Sequence, residues 1–418
     1  MIGPASRRWV LAGALALSAA PVWPQRLVVE GDVVHTMGPA GTLRPGVVLI
    51  DEGRIIEVGP VARVRVPRDW ERLAAPVVTP GLIDAHSVVG LAGQYNVPAD
   101  QDEDEPTDPN QADLRAIDGF NPAEPLLDYL LRFGVTVIQS GPGRMNPIGG
   151  QAGVFKTSGR TVEEMTLRFP SAVVFTLGEA PKAAYRPKDK PPATRMATAA
   201  LIRRALAEAR AYDEKRREAG EPAEEARKPP DRDLKKEALA AVVRGDVPAL
   251  FTAHREDDIL TALRIGREFG LKLLLDAATE GYLVRDEILN AGVPVIVHPT
   301  MQRLAGPETL NTTMENAALL AEVGIPIAIQ SGFESYVPKT RVVTLEAAVA
   351  MANGLGPDRA LAAITIDAAR ILGVDDRVGS LEPGKDGDVA LFDGDPFEFT
   401  SHVQAVVMNG RVVARPEF

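Results

Sequence analysis

Five histidines and no cysteine set the chemistry that this 418-residue sequence can offer. Without cysteine there is no thiolate nucleophile, no disulfide and no sulfur-ligated metal, so histidine, the carboxylates and lysine are the reactive side chains. His35 and His402 lie near the two chain ends, among short alternating apolar runs. Each of the other three closes an apolar run of strand length: Leu82 to His86, Ala249 to His254 and Val293 to His298. Three imidazoles gathered at one point can bind zinc, so a zinc centre is expected only if His86, His254 and His298 converge. The alternative for His298, in Val297-His298-Pro299-Thr300, is a plain hydrogen-bonding role. Lys156 closes the run Ala152 to Thr157, and a lysine beside apolar neighbours can act as a base or substrate anchor, or pair with Asp84, Asp276 or Glu280. Gly141-Pro142-Gly143 and Gly149-Gly150-Gln151 can present backbone amides to an anionic group. The pocket candidates are therefore His86, Lys156, His254, Asp276, Glu280 and His298.

These side chains need a frame that brings strand ends together. Eight Val/Ile/Leu-rich runs alternate with helical segments: 82–86, 135–140, 152–157, 172–178, 249–254, 271–277, 293–298 and 325–331. Continuous apolar runs suit parallel strands buried on both faces, and eight of them predict an α/β fold, a (β/α)8 TIM-type barrel over residues 80–375. Residues 26–79 and 376–418 carry hairpin patterns instead, including Asn409-Gly410 as a type I′ turn, and together they predict a small composite β-sandwich made by both chain ends. The acidic stretch Asp100-Gln101-Asp102-Glu103-Asp104-Glu105 falls on the loop side of the barrel, where it reads as a solvated rim. The charged region from Arg203 to Lys236, broken at Glu221-Pro222 and Pro229-Pro230, reads as an exposed two-helix excursion.

Composition places the chain among ordinary globular proteins, with 45% hydrophobic and 25% charged residues. A formal net charge of -11 repels phosphate backbones and anionic lipid headgroups, which argues against a nucleic-acid partner. Arg7 and Arg8 precede an apolar stretch from Trp9 to Val22, the layout of a signal peptide over residues 1–25. An exported, periplasmic protein with no membrane association after signal removal is expected; Sec and twin-arginine export both remain open.

Pro80-Gly81-Leu82-Ile83-Asp84-Ala85-His86, together with Gly379-Ser380-Leu381-Glu382-Pro383-Gly384-Lys385 and Gly394-Asp395-Pro396, resembles the amidohydrolase superfamily and more closely its imidazolonepropionase-like branch. The resemblance implies a barrel flanked by a composite β-domain, and hydrolysis of carbon–nitrogen bonds in amides or cyclic amides by metal-bound hydroxide. It also exposes what has changed. Where relatives close strand one with His-x-His, this chain reads His86-Ser87-Val88; strand four, Val173-Val174-Phe175-Thr176, lacks the bridging lysine. Strand six reads Asp276-Ala277-Ala278 in place of a histidine, and strand eight reads Ser331-Gly332-Phe333 in place of the aspartate that binds metal and takes a proton. Only His86 and His254 survive as family ligand positions, and a catalytic zinc usually takes three protein ligands. The expectation is a degenerate metal centre, a pseudoenzyme acting as a ligand-binding or partner subunit beside an active amidohydrolase paralogue or a second copy of itself. The alternative is an active hydrolase of a small amide or dipeptide-like substrate using a rearranged site. Val88, Phe175 and Phe333 filling the barrel mouth would speak against that alternative.

Overall fold

The computed structural model describes residues 26–95, 97–220, 229–301, 306–332 and 343–416. The N-terminal segment read as a signal peptide, and Phe333, lie outside them. Both chain ends build one sheet: β1 (Leu27–His35), β2 (Thr42–Leu43), β3 (Gly46–Asp51), β4 (Arg54–Pro60) and β5 (Glu71–Pro80) from the start of the chain. The barrel strands follow as β6 (Leu82–Ser87), β7 (Val135–Ser140), β8 (Ile148–Lys156), β9 (Thr166–Thr176), β10 (Ala249–Ala253), β11 (Leu273–Ala277), β12 (Val295–Val297) and β13 (Ile327–Ile329). The chain then returns to the first sheet with β14 (Val389–Phe392), β15 (Val403–Met408) and β16 (Arg411–Ala414).

In the β-domain the order is β16-β15-β14-β5-β1-β3-β4, with β2 on β1. The strands expected as two stacked layers are thus joined by hydrogen bonds in one sheet. Its inward residues, from Ile55 on β4 to Val407 on β15, share a single core. Asn409 and Gly410 take φ of 49° and 68°, the paired left-handed geometry of the predicted type I′ turn.

All eight predicted barrel strands form, in the order β6 to β13. One of them runs the other way: β8 is antiparallel to both β7 and β9. The reason is loop length. Only residues 141–147 separate β7 from β8, whereas a parallel return needs a crossover of a dozen or more residues. A buried apolar run reads the same in either direction, so its pattern carried no sign of the reversal.

That reversal moves Lys156. It pairs with Val137 near the start of β7, at the N-terminal face of the barrel, and not at the mouth where it was expected. There its Nζ meets Asp386 at 2.7 Å and Asp388 at 2.9 Å, and also Asn409 Oδ1, with only 2% of the side chain exposed. Its predicted partners Asp84, Asp276 and Glu280 are replaced by β-domain carboxylates, and the lysine fastens barrel to β-domain.

Alternation along the strands sorts the remaining side chains. Ile83, Val137, Val154, Val174, Leu250, Leu274, Ile296 and Ala328 form the apolar floor of the barrel lumen, closed by Ala368, Ala369 and Leu372 of the helix Ile366–Leu372. Residues of opposite parity, including Phe175 and Phe251 stacked 4.7 Å apart, face the helix layer. Phe175 therefore does not fill the mouth. The helix Arg195–Gly220 likewise departs from expectation: Ile202, Leu206 and Ala209 on one face are buried in the main core, which makes it a barrel helix instead of an exposed excursion.

Candidate functional site

Two residues beyond the apolar floor, the lumen turns polar on successive strands: Val174 is followed by Thr176, Leu250 by Thr252, Leu274 by Asp276, Ile296 by His298 and Ala328 by Gln330. His86 and Asp84 of β6 belong to the same region, and all of these side chains are buried. Asp276 is its hub. It meets His86 Nδ1 at 2.9 Å and Gln330 Nε2 at 2.6 Å through Oδ1, and accepts from Thr252 Oγ1 at 2.7 Å through Oδ2. Burial alone would raise its pKa, but the His86 ring and these three donors outweigh burial and hold Asp276 below the usual aspartate value. An ionised carboxylate only accepts, so the proton of this contact sits on His86 Nδ1.

Asp84 is the second hub. Its carboxylate takes the Ser331 hydroxyl and, at 3.0 Å, the Ser331 amide, spanning the seam between β13 and β6, where no backbone ladder closes the ring among the described residues. Burial pushes Asp84 up to about 6, against the lowering effect of the Ser331 hydrogen bonds.

The other predicted candidates are placed by their own partners. His254 Nδ1 lies 2.8 Å from Thr279 Oγ1, and His298 donates its amide to Ala277 at 3.0 Å. Glu280 accepts from the Glu256 amide and from Asn311 Nδ2, both at 2.8 Å, which ties a mouth loop to the start of the helix Glu256–Phe269. The structure brings His86 and Asp276 together, keeps His254, His298 and Glu280 at the same end of the barrel, and removes Lys156 to the other. Sequence reading missed Thr252, Gln330 and the Asp84–Ser331 pair. Their signal was the two-residue strand period: each of Thr252 and Asp84 stands two positions before a histidine already singled out.

The mouth itself is covered by the segment after β6. Gly143 and Gln151, on the glycine-rich loops expected to greet an anion, donate their amides to Glu103 and Leu114 carbonyls at 2.7 and 2.8 Å. The acidic stretch is only in part a solvated rim. Asp100 accepts from the Tyr95 and Val97 amides, and half-buried Asp104 accepts from the Met145 amide at 2.9 Å. Burial, then the neighbouring Glu103, raises Asp104 to about 6, with the Met145 amide acting the other way.

A carboxyl whose folded pKa is raised stabilises the folded segment fully below its unfolded pKa, near 4, and loses that contribution as pH rises through about 6. Amide hydrogen exchange of residues 103–115 and 143–151 is thus expected to be better protected at pH 5 than at pH 7.5, after correction for intrinsic exchange. Asp104→Asn should flatten the difference; an equally pH-dependent variant would reject the assignment.

Comparison with known proteins fits this architecture. The crystal structure of an amidohydrolase from Thermotoga maritima MSB8 matches with a TM-score of 0.87 and 34% sequence identity, over 93% of this chain and 100% of that one. The chain belongs to the amidohydrolase superfamily. A model described as "Amidohydrolase family" matches residues 287–414. Amidohydrolase tasK of Hapsidospora irregularis is 29% identical over 379 residues, 84% of this chain and 38% of that protein. The imidazolonepropionase of Geobacillus kaustophilus (strain HTA426) is 32% identical over 111 residues, 25% of this chain and 26% of the other. The stretch shared with the imidazolonepropionase accords with the resemblance to that branch but covers only a quarter of the chain. The chain spans well under two thirds of both curated relatives.

Amidohydrolase chemistry of the usual kind asks for converging metal ligands. Among the described residues no group of three histidine, aspartate or glutamate side chains is placed to hold an ion. His86, His254 and His298 do not form the three-histidine centre that zinc would need.

Proposed function

We propose that this amidohydrolase-superfamily protein carries a degenerate, metal-free barrel centre and works as an exported ligand-binding or partner subunit, with an active amidohydrolase paralogue as the partner. The observation that carries the reading is the hydrogen-bond set of Asp276. Where a histidine ligand is expected on strand six, a carboxylate instead engages His86, Thr252 and Gln330, so one surviving ligand position is held as part of the barrel's own polar packing. The energetic gap is wide. Metal lowers the pKa of bound water to about 7, worth at most ~12 kcal/mol of hydroxide availability. A general base alone supplies roughly 3 to 5 kcal/mol. The partner reading draws support from tasK, in which the matching region forms 38% of a longer chain. The export reading rests on Arg7, Arg8 and the apolar stretch after them.

The test is a turnover screen. The mature chain, supplied with zinc or manganese, is assayed against cyclic amides, N-acyl amino acids and dipeptides. No rate above the buffer blank is expected for any of them. Hydrolysis that disappears in His254→Ala would overturn the reading in favour of a working site.

A further inference from the structure

The cleft that offers most to a ligand lies at the other end of the barrel. Between the β-domain and the N-terminal barrel face is a space of about 780 Å³, bordered by Arg54, Ser158, Arg160, Arg377 and Arg411. Clefts between domains are favoured binding places, and this one joins residues from both chain ends to the loop after β8.

Its charge is arranged in two tiers. In the lower tier, Lys156, Arg54 and Arg377 surround Asp386 and Asp388, so three cations face two carboxylates. Arg377 spends Nε and Nη2 on Asp386 at 2.9 and 2.7 Å, which leaves Nη1. Arg54 reaches Asp386 and the Gly384 carbonyl through Nη1 alone, which leaves Nε and Nη2. In the upper tier, exposed Arg411 has no side-chain acceptor among the described residues, while Arg160 is taken by Glu164 at 2.8 Å. Glu52 also stands on the border. The result is a local surplus of guanidinium donors in a chain of net charge -11.

We propose that this cleft is a binding site for a small multivalent anion bearing carboxylate or phosphate groups, held by Arg54, Arg377 and Arg411. Planar guanidinium forks match the paired oxygens of these groups, and two of the three arginines are already oriented by Asp386. The ligand needs no group from the barrel mouth, so this site stands or falls separately from the reading of the metal centre.

Isothermal titration of the mature protein with succinate and with inorganic pyrophosphate tests it, with uncharged succinamide as the control. At least one of the two anions should bind, succinamide should not, and Arg411→Gln should weaken binding about tenfold. Arg411 is exposed and has no side-chain acceptor among the described residues, so this variant should melt at the wild-type temperature; if it does not, Arg411→Lys, which keeps the charge, should bind better than Arg411→Gln. Binding of succinate alone assigns carboxylates, and binding of pyrophosphate alone assigns phosphates. Failure of both anions at millimolar concentration, or wild-type affinity in Arg411→Gln, would overturn the proposal.

Discussion

Lys156→Met is expected to lower the unfolding free energy by about 3–5 kcal/mol, the range found when one member of a buried ion pair is removed. The lysine is buried with Asp386 and Asp388 at 2.7 and 2.9 Å. Asp386 keeps Arg54 and Arg377 in the variant, so most of the damage falls on Asp388, whose carboxylate retains, among the described residues, the Asn409 amide at 2.8 Å. Urea denaturation should show a lower midpoint, and adding Asp388→Asn should restore part of it by removing the stranded charge. A change below about 1 kcal/mol would mean that the lysine does not fasten the two domains. The same cluster predicts an acid limb. Burial works to raise Asp386, but Arg377 and Lys156 outweigh it and hold the carboxyl below its usual value. Its stabilising contribution is present above pH about 4 and is lost as pH falls through the lower folded value.

Asp276→Ala is the second large effect, a loss of about 2–4 kcal/mol of stability. Removal of this carboxylate strips acceptors from His86, Thr252 and Gln330 together, all of them buried, and each stranded donor costs about 1–3 kcal/mol before relaxation or water entry. In a hydrolytic metal centre the loss of a ligand falls chiefly on metal affinity and turnover. Here it should fall on the fold. A double-mutant cycle with His86→Ala should return a coupling of about 1–3 kcal/mol, since the two side chains share a direct contact. Additive effects would dissolve the hub.

Much of the architecture could be read from the chain because its strands bury both faces and its turns carry their own signals. The eight runs became β6 to β13, and Asn409-Gly410 became the turn between β15 and β16. What stayed hidden was direction. The reversal of β8 depended on the short connection 141–147, and with it went the location of Lys156. The letter changes relative to the resembled motif stood in the sequence, whereas the hydrogen-bond network around Asp276 did not. Thr252 and Gln330 are ordinary strand residues until the barrel closes and brings three strands onto Asp276. The acidic stretch was misjudged for a related reason: sequence shows six polar residues in a row, but not that Asp100 and Asp104 accept backbone amides over the mouth.

Elemental mass spectrometry of the mature protein tests the central claim most directly, with the protein purified without chelator or histidine tag and dialysed against zinc and manganese. The account predicts metal far below one equivalent, unchanged in His86→Ala and His254→Ala. Near-stoichiometric metal that vanishes in both variants would contradict it and restore a hydrolytic centre to this barrel.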